Sequence, residues 1–418
     1  MGEQAMPEKH AALAKMAKAL GIENVPDSWK ESWAGYREWM GDGGCGRLDW
    51  RLPANAAEVF DLPKECVAAL EEMFAAIRRD EALRELASLW HYMVYHLPGG
   101  MERNTNVWGL PDTIGGFSNK TLQLAAIVSG ADHAVANFAA TGVSQETVAI
   151  TLGYIGRYAR DIEAKRGVWG LESMGWLSTY ARAEIFRLGR LTFKAGRCGM
   201  QFRAFENTRS GEVVVLAEPT VKYRADGLAD GTNGIHDPDA WAPVLEIGEG
   251  KIVGHRVAAD GIERESSALD ADEWRQVMGP GDEIVEVHIA GGSKMGHDEC
   301  IEAYRMAVEF FPAYCPETKF TGFTCWSWLL DPNLAKILPE ESNIVRFQRD
   351  FHQLPVPANE AQAYDLVFGS STVDPAKVTP TTSLQHAIAD YVRAGGRLRS
   401  AGGIITWAEA VTLSKQKA

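Results

Sequence analysis

Glu286 and His288 stand two residues apart in the run DEIVEVHI, Asp282 to Ile289, whose apolar residues alternate as they do in a β-strand. On a strand that spacing puts a carboxylate and an imidazole on one face. Side by side they can take a proton from an amine or a hydroxyl, His288 as a neutral imidazole and Glu286 if burial raises its pKa. The strand breaks at Gly291-Gly292 in AGGSKMG, and Ile301, Ala303, Tyr304, Ala307, Val308 and Phe311 then recur at helical spacing. Such a turn leaves backbone N–H groups unpaired where the helix dipole favours an anion, so a phosphate or a developing oxyanion suits it. A base beside such a turn is what acyl transfer requires. The plainer reading is that both side chains face solvent, or that His288 is a satisfied core residue.

Further polar side chains lie in KFTGFTCWSWLL, Lys319 to Leu330, where period 2 sets Cys325 and Ser327 on one face and Trp326 and Trp328 on the other. Either Cys325 or Ser327 could return a proton to a leaving thiolate, or attack as a nucleophile were His288 in reach. A buried strand lined by small and aromatic residues has the same pattern. Cys300 falls in the first turn of the predicted helix, where the dipole would lower a thiol pKa. AGGSKMG matches neither G-x-x-x-x-G-K-[ST], because Lys294 precedes Met295, nor G-x-G-x-x-G, which disfavours nucleotide hydrolysis and dinucleotide binding.

No metal is expected. His91 and His96, in HYMVYH, are five apart and so do not share a helical face, and a metal held by His288 and His297 lacks a third ligand. The six cysteines, at 45, 66, 198, 300, 315 and 325, contain no C-x-x-C pair, which argues against structural zinc and thioredoxin-like chemistry.

The elements that must position these residues fall in two groups. Up to about Tyr180 the apolar period is 3.6 and the chain reads as helices, with Pro7 opening the first and Ser118, Asp132 and Ser144 as caps of later ones. The loop Glu102 to Phe117 interrupts them and is long enough to be functional. Near Phe186 the period changes to 2, and short runs from Leu188 to Val257 predict an antiparallel meander. A short helix is expected over Asp272 to Met278, capped by Asp270, and a strand over Ile344 to Phe351. An amphipathic helix over Ser383 to Ala394 and a returning strand, Gly402 to Trp407, complete the reading. The expectation is an α+β chain: an all-helical domain, 1–182, then a mixed α/β domain with a largely antiparallel sheet, 183–418.

At 418 residues with 46% apolar, the chain can bury cores of two or three domains. A net charge of −14 without a Lys/Arg run disfavours nucleic acid and anionic membranes. No stretch reaches the roughly 20 apolar residues of a membrane span, and the first thirty residues lack the order of a signal peptide, so the cytoplasm is the expected compartment.

FRLGRLTF (Phe186 to Phe193), TRSGEVVVLAEPTVKYRADG (Thr208 to Gly227), VHIAGG (Val287 to Gly292), SWLLDPNLAKILPEESNI (Ser327 to Ile344), FQRDF (Phe347 to Phe351) and SLQHAIADYVRAGGRLRSAGG near the end resemble the bacterial acyltransferase-domain proteins. Those proteins join a helical N-acyltransferase N-terminal domain to a GNAT-like C-terminal domain. The resemblance implies an acyl-CoA co-substrate, with acetyl-CoA its simplest form. It implies pantetheine along a splayed strand at Val287, Ile289 and Ala290, and pyrophosphate on Gly291, Gly292, Ser293 and Lys294. The loop departs from the usual Q/R-x-x-G-x-G/A form, and Trp326 stands where the resemblance implies a histidine.

The function expected is therefore acyl transfer to an amine or hydroxyl of a small-molecule or peptide acceptor, with His288 or Glu286 as base and Ser327 or Cys325 as proton donor. A catalytically inactive acyl-CoA or small-molecule sensor is the alternative, and a hydrolase using Cys325 or Ser327 with His288 is a third.

Overall fold

The 3.6-residue period of the first half is realised as helices. The computed structural model describes residues 10–41, 48–97, 110–258, 260–291 and 294–415, and the chain divides into two units, Met1–Phe186 and Arg187–Ala418. The first unit holds α1 (Ala11–Ala19), α2 (Asp27–Met40), α3 (Ala56–Val59), α4 (Lys64–Arg79) and α5 (Glu81–Tyr95). After the two-residue strands β1 (Thr113–Ile114) and β2 (Phe117–Ser118) come α6 (Asn119–Val128), α7 (Ala131–Ala139), α8 (Gln145–Arg166) and α9 (Met174–Ala181).

α5 and α6 form its centre, buried on nearly every side, and Trp90 of α5 meets Trp29 of α2 edge-on at 5.9 Å. Ser144 caps α8 by accepting from the Thr147 N–H at 3.2 Å. Ser118 precedes α6 without a side-chain bond, and Asp132 lies inside the first turn of α7, which starts after Gly130. Pro7 and residues 102–109 of the long loop lie outside the described residues.

The second unit begins at β3 (Ile185–Leu188), through which the boundary runs, and continues with β4 (Leu191–Arg197), β5 (Phe202–Asn207), β6 (Val213–Ala217), β7 (Leu245–Gly248), β8 (Lys251–Ala258), β9 (Gly261–Asp270), β10 (Trp274–Met278) and β11 (Glu283–His288). Then come α10 (His297–Tyr314), β12 (Gly322–Ser327), α11 (Leu334–Ile337), α12 (Asn343–Arg349), β13 (His352–Leu354), α13 (Ala361–Phe368), α14 (Ser383–Arg393), β14 (Ala401–Thr406) and α15 (Trp407–Leu413). One sheet has the order β13-β14-β12-β11-β4-β3; the other runs β10-β5-β6-β8-β7, with β9 on β8.

β11 and β12 are parallel, whereas β4, β14 and β13 pair antiparallel to their neighbours. Parallel neighbours cannot be joined by a tight turn, so α10 makes the crossover. The first sheet is covered on both faces. On one, Phe193 and Phe323 meet Tyr304 of α10 at 6.4 and 6.2 Å, and Phe323 stacks on Trp407 of α15 at 5.4 Å. On the other, Ile284, Leu354 and Ile404 pack with Phe202, Ala204 and Val215 of the second sheet. Among the described residues no helix is long and apolar enough to cross a membrane.

Two expected elements are corrected. Asp272 to Met278 is not a helix: Trp274–Met278 is β10, paired with β5, and the Asp270 carboxylate accepts from the Asp272 N–H at 2.9 Å in the turn that leads to it. The capping signal and an Asx turn share one chemistry, and here strand pairing decided between them. Ile344 to Phe351 is not a strand: Asn343–Arg349 is α12, with Ser342 as its cap, and Phe347 meets Phe351, two residues past the helix end, at 5.1 Å.

The segments behind the family resemblance are largely framework. Gln348 is buried and its amide donates to the carbonyls of Leu329 and Asp331 at 2.7 and 2.8 Å. The Asp331 carboxylate accepts from the Arg399 and Asn333 N–H groups at 2.8 and 3.0 Å. Asp350 takes His297, the first residue of α10, at 3.0 Å. These bonds fix the exit of β12 and the start of α10. Gln348→Ala takes the amide donor from the Leu329 carbonyl, while the Asp331 carbonyl keeps the Leu334 N–H at 2.9 Å, an expected loss of about 1 to 3 kcal/mol for the one unsatisfied group. Urea unfolding measures it as a lower midpoint; an unchanged midpoint would show that water replaces the amide.

Candidate active site

β11 and β12 share a ladder only at Val285↔Phe323 and Glu286↔Thr324. On their outer sides both strands go on pairing, β11 with β4 as far as His288↔Thr192 and β12 with β14 as far as Ser327↔Ala401. The sheet therefore parts after Glu286 and Thr324. Continuing the register would set His288 opposite Trp326, but among the described residues no strand pairing joins them.

Glu286 and His288 lie together at the mouth of that gap, with Nε2 of His288 3.1 Å from Oε2 of Glu286 and each side chain about one-third exposed. Their face is the one turned towards the second sheet, since Ile284, two residues earlier, packs there. Lys194 of β4 pairs across from Glu286 and is buried. Burial pulls the Lys194 ammonium below its ordinary pKa, opposed by the Glu286 charge. Burial would raise the Glu286 carboxyl, but the hydrogen bond and charge of His288, with Lys194 behind them, outweigh it and hold the group below its usual range. The condition for Glu286 as a base, that burial raise its pKa, is thus not met: the group is held as a carboxylate hydrogen-bonded to His288. Gly196 makes room for it, because a Cβ there would come within 2.7 Å of Oε1 of Glu286.

The loop beyond the strand is held from below by Arg190, whose Nη1 donates to the Ala290 carbonyl at 2.9 Å and Nε to the Lys294 carbonyl at 3.1 Å. Arg190 is buried and follows Gly189, whose φ of +61° turns β3 into β4. Ile289 and Gly291 are partly or fully exposed, and the space around Gly291 is open, with nothing within 4 Å of a Cβ placed there. Gly292 and Ser293 lie outside the described residues. α10 begins after Gly296, whose N–H donates to Oε2 of Glu299 at 3.2 Å. The helix start therefore already carries a carboxylate, while Arg190 lies against the loop carbonyls and Lys294 is exposed.

Cys325 and Ser327 are not brought to His288. Both are buried, and by strand period they point to the α10 face, opposite Glu286 and His288. Burial pushes the Cys325 thiol up to about 12, so it is no thiolate nucleophile, and the Ser327 hydroxyl accepts from the Leu329 N–H at 3.2 Å as a cap. Cys300 is likewise pushed up to about 12 by burial, against the lowering expected at a helix start. His297 is bound to Asp350 and is not a co-ligand with His288.

Trp326 takes the free face and is 54% exposed, beside an apolar pocket of about 200 Å³ lined by Met200, Phe202, Tyr223, Leu354 and Val356. A more open pocket of about 680 Å³, lined by Lys336, Gln348 and His352 among others, does not include Glu286 or His288. Sequence reasoning missed Arg190, Lys194 and Gly196. Their roles follow from β4 lying against β11, and no local pattern announces that pairing.

A splayed parallel pair with its crossover helix invites comparison with known proteins. A family model described as a GNAT-like C-terminal domain matches residues 185–405, and one described as an N-acyltransferase N-terminal domain matches residues 54–183. No curated protein sequence gives a significant match. Among solved structures, the crystal structure of an acyltransferase in complex with decanoyl-CoA is similar at 18% identity, covering 94% of this chain and 98% of that one with a TM-score of 0.61. An acyltransferase mutant in complex with octanoyl-CoA gives 18% identity, the same coverages of 94% and 98%, and a TM-score of 0.62. An acyltransferase in complex with decanoyl-CoA and teicoplanin gives 18% identity, 94% and 99% coverage, and a TM-score of 0.61. The family models cover most of the chain in the order of its two units, and it belongs to the family that joins an N-acyltransferase N-terminal domain to a GNAT-like C-terminal domain.

Proposed function

We propose that this protein moves an acyl group from an acyl-CoA thioester to an amine or hydroxyl of a small-molecule or peptide acceptor by direct attack. The parting of β11 from β12 after Glu286 and Thr324 carries the reading, because beyond that point the two strands share no ladder and leave room between them for the amide-containing pantetheine arm. The arm runs along Val287, Ile289 and Ala290. The pyrophosphate rests on the loop Gly291 to Lys294, where Arg190 and Lys294 supply positive charge. Structural neighbours that hold decanoyl-CoA or octanoyl-CoA support the donor class, and the one that also holds teicoplanin supports a small-molecule or peptide acceptor.

His288, oriented by Glu286, takes the proton as the acceptor's nitrogen or oxygen bonds to the thioester carbon. The carbonyl oxygen becomes an oxyanion, and strand N–H groups near Ala290 stabilise it by about 3 to 4 kcal/mol per donor. The C–S bond then breaks, CoA leaves as a thiolate, and protonated His288 returns the proton. Cys325 and Ser327, on the other face, take no part. The apolar pocket beside Trp326 suits an acyl chain.

Thermal shift with acetyl-, octanoyl- and decanoyl-CoA tests the donor site: at 100 times its Kd a ligand adds about 2.7 kcal/mol of stability. No shift with any CoA species contradicts the reading, and binding without thiol release across a panel of amines and alcohols favours a sensor. His288→Ala should lower turnover about 10²- to 10⁴-fold while CoA affinity stays nearly constant. An unchanged rate removes His288 from the base role.

A further inference from the structure

Three histidines of the helical unit, outside the acyl-transfer chemistry, converge. His91 lies on α5, His96 directly follows it, and His133 is in the first turn of α7. Their ring centroids are 5.5 Å (His91 to His96), 5.7 Å (His91 to His133) and 4.8 Å (His96 to His133) apart, and one ring nitrogen from each lies within 4.8 Å of the others. The five-residue spacing of His91 and His96 would separate them on a continuous helix. His96, however, is the C-cap of α5 with φ −127° and ψ −9°, and leaving the helix there brings its ring back to His91.

The hydrogen bonds around His91 settle its tautomer. Its Nδ1 is 2.7 Å from Oγ of Ser129, and that hydroxyl donates its own proton to the Ala126 carbonyl at 2.8 Å. Ser129 can then only accept, so Nδ1 of His91 carries the proton and Nε2 is a bare lone pair. That Nε2 is fully buried and has no hydrogen-bond partner, on a side chain with 0% exposure. A buried acceptor left without a donor is destabilising, and natural cores rarely keep one.

We propose that His91, His96 and His133 bind a divalent transition cation, with Zn²⁺ as the reference ion and His91 coordinating through Nε2. Imidazole donors suit Zn²⁺, Ni²⁺, Cu²⁺ and Co²⁺ and not the hard cations Mg²⁺ and Ca²⁺. Three nitrogens at about 2.0 to 2.1 Å from a tetrahedral ion are closer together than here, so binding draws the half-buried His96 and the exposed His133 in towards the fixed His91. Ser129 is the outer partner that orients the buried ligand, as metal-bound histidines ordinarily require. Tyr95 stacks on His133 at 5.5 Å and Trp39 on His96 at 4.7 Å, which restricts both rings to the cluster. The ion would tie the end of α5 to the start of α7 and keep a fourth position for water or another ligand.

The test uses the full-length protein, stripped with a chelator, dialysed, and reloaded with Zn²⁺ or Co²⁺. One Zn²⁺ per chain retained against a competing chromogenic chelator is expected, together with visible ligand-field bands of tetrahedral Co²⁺. His133→Ala, at an exposed position, should melt like the metal-free parent and bind Zn²⁺ at least about tenfold more weakly; Ser129→Ala should weaken it by about 10- to 100-fold. Failure to retain Zn²⁺, a Co²⁺ spectrum like the aquo ion, or unchanged affinity in His133→Ala would overturn the proposal.

Discussion

Two parallel strands, β11 and β12, share a ladder for two residue pairs and then separate, each held on its outer side by an antiparallel neighbour. The separation persists because the outer ladders, the aromatic packing of Phe193, Phe323, Tyr304 and Trp407 on one face, and the Ile284 and Ile404 cluster on the other fix both strands independently. Closing the gap would disturb all of these. Extended backbone can satisfy another extended chain, and a pantetheine arm, with its two amides, is one.

Charge at this gap is arranged around Glu286. Left alone, its burial would favour the neutral acid; the adjoining His288 and Lys194 reverse that and keep a carboxylate in place. Folding thus gains from its ionisation: the contribution is full above the unfolded carboxyl pKa and fades only as pH falls through the lowered folded value. In the proposed reaction the same carboxylate orients the imidazole, leaving His288 as the group that exchanges a proton. Arg190 does for the loop what Glu286 does for His288, fixing it through carbonyls from beneath.

Much of this arrangement was legible in the sequence. Alternation in DEIVEVHI gave β11 and the shared face of Glu286 and His288, and helical spacing after the glycines gave α10. What was not legible depended on partners distant in the chain. His288 is the main group that lowers Glu286, but the Lys194 charge that adds to it comes from some ninety residues earlier, and Cys325 differs from Trp326 only in which face of the strand each takes. Asp270 and Ile344 misled for a related reason: an Asx turn and a helix cap use the same residues, and a short apolar alternation fits a helix edge as well as a strand. The histidine cluster was hidden because its spacing was judged on a continuous helix, while His96 sits where α5 ends.

The central claim is that the open edge of β11 receives the thioester arm, and backbone hydrogen exchange tests it most directly. With saturating decanoyl-CoA, the amides from Val287 to Gly291 should become protected, with smaller change in β12 beyond Thr324. Protection confined to other regions, or none in this stretch while the ligand is bound, would contradict the account.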